Sequence, residues 1–296
     1  MSRNYLAAGC VVQKIRVSFA NNLKKGAVVV MKEQSVSSAV VKEIESYLRL
    51  KTFPVGLKFL AKKEDLGKVE KVRRPKKYST ACQLISMART FGWTFGTTGQ
   101  ELMPICSIVL GFIDTPPKVK DGTLRSVAWC RTKEDAKKFE DAIPHIPLGK
   151  YEALLMGPAT TGLFEPDLVL FYANPAQIIL MINALQFEDY ERLVFYCVGE
   201  SSCSDSIVQC HLSGKPAVGI PCFGERRFGS AQDDEMVMAV PGPMLEKLRR
   251  NLMELSKRGV RYPITFYGPQ MDPCSGIPPV YLEYLEIKDQ INTTKK

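Results

Sequence analysis

Histidine is almost missing from this chain: His145 and His211 are the only two in 296 residues. A histidine-built metal centre or catalytic triad therefore has few candidate members. No C-x-x-C pair occurs, so the local spacing of zinc fingers and ferredoxin-type clusters is absent. The sequence also lacks G-x-x-x-x-G-K-[ST], H-E-x-x-H, G-x-S-x-G and a strand-linked G-x-G-x-x-G. Those absences argue against P-loop, zincin, α/β-hydrolase and dinucleotide-binding chemistry. No apolar run reaches the roughly 18 residues of a membrane span; the longest, Ile178-Ile-Leu-Met-Ile182, is the size of a core element. Leu6-Ala-Ala-Gly-Cys10 resembles a lipoprotein cleavage box, but the apolar stretch before it is shorter than the roughly 7–15 residues of a signal core. The expected location is the cytoplasm, with reduced thiols and no membrane partner.

The composition, 45% hydrophobic and 24% charged, is that of a globular protein with a large core. The net charge of +9 is concentrated: residues 58–77 carry nine Lys/Arg against Glu64, Asp65 and Glu70, a net +6. This stretch reads either as a solvated connector or as a site for an anionic ligand or acidic partner. No aromatic residue lies between Leu60 and Tyr78 to stack bases, which argues against nucleic acid.

Apolar periods of two and 3.6 alternate along the chain, predicting an α/β protein (α+β as the fallback) with a mixed sheet packed against helices. Strands are expected at Ala27–Met31, Pro54–Phe59, Tyr151–Met156, Asp167–Tyr172, Leu193–Val198, Ala217–Ile220, Glu235–Val240 and Tyr262–Phe266. Helices are expected after Ser35, over 81–91 with Gly92 as the stop, behind the capping-box spacing of Thr98-Gly-Gln-Glu101 with Pro104 restricting how far upstream it starts, from Thr132 to Ile143, over 176–185 behind Asn174-Pro175, over 204–211, and over 243–257. The chain reads as an N-terminal half, 1–146, with a basic connector at 58–77, and a C-terminal half, 147–296, in one compact unit. A strand–helix–cysteine echo between the halves leaves an ancient duplication open.

Nine cysteines are the informative feature. Cys82 lies near a helix start, Cys106 follows Pro104, and Cys222 sits between Pro221 and Phe223-Gly224. Cys203 and Cys210 are seven apart and would share a face of an α-helix. Four thiolates from separate elements could hold an iron–sulfur cluster or zinc. Cys130 and Cys197, flanked by aromatic residues, read as buried hydrophobes. His211, at a helix end, suits a positive ring. Arg226 and Arg227 lie on a glycine-bearing loop beside Cys222; they could clamp an anion and lower the thiol pKa, or pair with Asp233, Asp234 or Glu235.

Pro54-Val-Gly-Leu-Lys-Phe59, Cys82-Gln-Leu-Ile-Ser-Met-Ala-Arg89 and Cys106 with Leu110-Gly111 carry a resemblance to a known family. So do Glu165-Pro-Asp167, Asn174-Pro175, Pro221-Cys222-Phe-Gly224 and Asp234-Glu-Met236. The chain resembles a prokaryotic family called domain of unknown function 169, common in anaerobes. The resemblance implies that Cys82, Arg89, Cys106 and Cys222 belong to the family pattern, with Cys203 or Cys210 as the fourth thiolate. The leading expectation is an iron–sulfur cluster or related metal cofactor held by Cys82, Cys106, Cys203 and Cys222, with a redox partner, in electron transfer or cofactor handling. One alternative is a metal-free enzyme or binding protein with a cleft near 157–162 and Arg226/Arg227 on a small anionic ligand, and Arg89 is a further candidate cofactor contact. A second is a non-catalytic partner subunit.

Overall fold

Seven strands form one mixed sheet in the order β2-β3-β4-β1-β5-β7-β6, as seen in a computed structural model that describes residues 36–264 apart from residue 77. The strands are β1 Val55–Leu60, β2 Val72–Arg73, β3 Thr94–Thr98, β4 Ala153–Pro158, β5 Leu168–Ala173, β6 Ala217–Gly219 and β7 Met236–Pro241. Only β2 and β3 pair in parallel; the other pairings are antiparallel. The strand predicted at 27–31, the box ending at Cys10 and the cap at Ser35 lie outside the described residues.

The period-two pattern decides which helices cover which face. In β5, Leu168, Leu170 and Tyr172 join one hydrophobic cluster, while Val169, Phe171 and Ala173 join another. The second cluster is closed by α1 Val36–Leu48, α7 Pro175–Gln186 and α10 Leu245–Lys257. The first is closed by α2 Ala81–Phe91, α3 Pro104–Val109 and a π-helical turn at Ser204–Val208. Short helices α4 Pro117–Lys120 and α5 Thr123–Ser126 precede α6 Lys133–Ala142; α8 Gln209–Ser213 and α9 Phe223–Gly229 complete the set. Strand β1, from the first half, lies between β4 and β5 from the second, so the two halves interleave in a single sheet.

Local chemistry sets the boundaries of α2 and α7. Thr80 and Gln83 form a reciprocal capping box at the start of α2, and Gly92 ends it in the left-handed region at φ 71°. Asn174 and Gln177 do the same for α7, with Pro175 at its first position. Leu84, Ile85 and Ala88 bury the inner face of α2, each large side chain contributing roughly 1.5–3 kcal/mol.

Several expectations are corrected. Residues 193–198 form no strand: Val194, Phe195 and Tyr196 are exposed, and the Val198 N–H donates to the Asp205 carboxylate rather than to a neighbouring strand. Residues 261–264 are not in a strand, and 265–266 lie outside the described residues. The basic stretch is more than a connector. It folds into a 3₁₀ turn, Lys63–Lys68, that buries Leu66, followed by the edge strand β2. The glycine-bearing loop after Cys222 is a helix, α9, held by its contact with α2 rather than by intrinsic propensity.

Candidate functional site

Four sulfurs meet on the face of the sheet that α2 covers. Cys82 stands in the first turn of α2, Cys106 in α3, Cys203 just before the π-helical turn, and Cys222 at the N-cap of α9. All four line one cavity of about 500 Å3. The Ala81 N–H donates to the Cys106 sulfur at 3.4 Å, joining α3 to the start of α2. The Cys82 thiol donates to Thr80 Oγ1 at 3.0 Å.

Burial pushes the Cys82 thiol up from 9.0 to about 12, against the opposing pull of its bond to Thr80. Burial likewise raises Cys106, and raises Cys203 well above the ordinary thiol range. These groups are neutral thiols at pH 7 without a metal, and a bound cation would displace their protons. Cys106 and Cys222 each add a smaller upward push on Cys82 and Cys203, reflecting how near the four sulfurs lie.

A buried polar chain backs the cavity. Tyr172 Oη and Ser202 Oγ both donate to the Glu225 carboxylate, and all three residues line the cavity. Burial raises the Glu225 carboxyl above its usual range. Behind Tyr172, the Arg89 guanidinium lies 4.1 Å from the ring centroid and grips Glu235 through two nitrogens at 2.9 and 3.0 Å. Arg125, also in the cavity lining, bonds Glu140 at 2.5 Å and donates to the Glu200 carbonyl at 3.1 Å. The Glu200 carboxylate accepts from the Phe223 N–H, tying α5 to α9.

The remaining predicted residues are placed elsewhere. Cys210 is buried in the core and does not line the cavity. It is turned away from Cys203 because the intervening backbone winds as a π-helix, whose wider turn rotates position i+7 off the α-helical face. Arg89 stands behind Tyr172 and does not reach the cavity wall. Arg226 donates to the Pro221 and Gln232 carbonyls and pairs with Asp233, while Arg227 is exposed. Thr160 and Thr161 line a different cavity with Lys42, Lys71 and Arg73, away from Cys222. Cys197 is exposed rather than buried. His211 packs on Phe59 at 4.3 Å and bonds Tyr151; burial lowers its pKa, so the ring is neutral rather than positive.

A profile of the family domain of unknown function 169, described as uncharacterised ArCR, matches residues 43–251. The chain belongs to this family. An uncharacterised protein of Methanocaldococcus jannaschii is 25% identical over 171 residues, covering 56% of this chain and 73% of its own length. No solved structure matches.

All four cavity cysteines fall inside the stretch that defines the domain of unknown function 169. Sequence reading missed Tyr172, Ser202 and Glu225. Tyr172 carried a signal: it is the one hydroxyl on the Leu168–Leu170 side of an otherwise apolar strand. It also missed Leu124, Val127 and Trp129, because residues 113–130 hold only the one-turn helices α4 and α5 and the turns between them, too short to show a periodic pattern.

Proposed function

We propose that the protein holds an iron–sulfur cluster on Cys82, Cys106, Cys203 and Cys222 and serves in electron transfer or cofactor handling. The observation that carries this reading is the convergence of four thiols, from four separate elements, on one cavity. Thiolates are the donors such clusters take, and the two carboxyl groups that line the cavity, Glu200 and Glu225, are already engaged by the Phe223 N–H and by Tyr172 and Ser202. Among the described residues no group of three or more His, Cys, Asp or Glu is arranged to hold a metal ion. That weighs against a single-ion zinc site. A polynuclear cluster takes its thiolates from separate corners, so its ligands stand farther apart. When bound, the cluster would supply one-electron chemistry.

The chain's own contribution would be to hold the sulfurs on packed elements, exclude water with apolar walls and set the local charge. The buried Glu225 carboxyl and the Arg89–Glu235 pair stand near enough to tune that charge. Anaerobic expression with iron supplied, followed by iron, acid-labile sulfide and visible-absorption analysis, tests the reading. The expected product is coloured and contains both elements in near-integral ratio to protein. A colourless, iron-free protein under those conditions overturns it.

A further inference from the structure

Seven of the 21 large apolar side chains exposed among the described residues surround the mouth of the cysteine cavity. Val127 is 81% exposed, and Trp129, Phe223 and Phe228 are each about half exposed. Such a concentration is costly in water and marks a surface that is covered in use. Trp129 and Phe223 approach across the mouth, with ring centroids 5.7 Å apart at 58°, joining the turn after α5 to the start of α9. The surface is concave, and its 500 Å3 falls within the range of small-molecule sites.

The charged side chains that line this cavity are already engaged. Arg125 is bound to Glu140, Glu200 to the Phe223 N–H, and Glu225 to Tyr172 and Ser202. Among the described residues, Arg125 is the one cation lining the cavity, and it is already paired with Glu140, so no unpaired cation faces inward to receive an anion. We propose that the mouth binds a small, uncharged, largely hydrocarbon molecule, seated among Val127, Trp129, Phe223 and Phe228 above the cysteine floor. As a ligand site for the proposed cluster protein it rests on that reading for its purpose, while its binding chemistry depends only on the apolar walls. A small molecule fits better than a protein surface because the apolar side chains line a hollow whose floor lies below the rim.

The test uses the full chain, prepared anaerobically, and N-phenyl-1-naphthylamine, an uncharged probe that fluoresces in apolar sites. The anionic probe 1-anilinonaphthalene-8-sulfonate is the comparison. The expected result is one saturable site that prefers the uncharged probe by about tenfold or more. Val127→Asp and Trp129→Ser should each weaken the uncharged probe by about tenfold or more. Ile179→Asp, on the exposed face of α7, should leave it unchanged. Melting curves and iron content are read on every variant. Probe binding that ignores both mouth variants, or no preference for the uncharged probe, overturns the inference. So does a concentration-dependent dimer abolished by Val127→Asp, which would make the mouth a protein interface. An iron-free protein that still binds the probe at the mouth leaves this inference standing and removes the cluster reading; an iron-loaded protein that ignores the probe does the reverse.

Discussion

Gly229 of α9 lies so close to Cys82 of α2 that a Cβ at position 229 would stand 2.9 Å from the Cys82 Cβ and 3.2 Å from its carbonyl oxygen. The absence of a side chain there lets α9 and α2 approach, and that approach brings Cys222 beside Cys82. Gly229→Ala must separate the two helices. The expected cost is about 1–3 kcal/mol in urea unfolding, with a loss of bound iron larger than the stability change explains. Unchanged iron content in this variant would show that the two cysteines do not depend on helix spacing.

Replacing Cys82, Cys106, Cys203 or Cys222 singly with Ala should remove most of the iron and the visible absorption. Cys210→Ala is the control, since that sulfur is buried in the same core but lies outside the cavity. It should cost about 1 kcal/mol or less of stability and retain the iron. Iron lost from Cys210→Ala but kept in Cys203→Ala would reverse the assignment of the fourth thiolate.

The Arg89–Glu235 pair is buried, at 3% and 8% exposure of the two side chains. Arg89→Ala strands a carboxylate in the core and should cost about 3–5 kcal/mol, whereas Arg89→Met with Glu235→Leu should recover most of that. Urea midpoints of the two single variants and the double variant measure the coupling.

In metal-free, reduced protein, stability should fall as pH rises above 9. Below 9.0 the Cys82 thiol is protonated in both folded and unfolded chains. Between 9.0 and about 12 the unfolded chain releases that proton while the folded chain keeps it, so the unfolded state gains. Cys106, Cys203 and Tyr172, raised by burial as well, act in the same direction. Urea unfolding at pH 7, 9 and 10.5 under argon measures the slope. A flat profile would mean that the thiols are solvated.

Much of the fold is legible one segment at a time. The capping pairs Thr80/Gln83 and Asn174/Gln177, the stop at Gly92 and the unbroken apolar run over 168–172 are near-neighbour signals, and the corresponding elements form where those signals lie. The segment at 193–198 shows the limit: β-forming residues make a strand only where a neighbour offers its edge, and none does so there. Helix α9 shows the converse. Its Gly224 and Gly229 read as loop residues, yet packing on α2 makes them helical.

The same division runs through the cavity. That Cys82, Cys106 and Cys222 stand near the starts of helices follows from local sequence, because proline, glycine and capping residues flank them. That these sulfurs line one cavity, that Cys203 joins them instead of Cys210, and that apolar side chains gather at its mouth follow from long-range packing. The reason is that local geometry depends on residues a few positions apart, whereas the meeting of Cys82 with Cys222 depends on strand order and on one helix's approach to another. Those are set by the burial of the whole apolar surface at once.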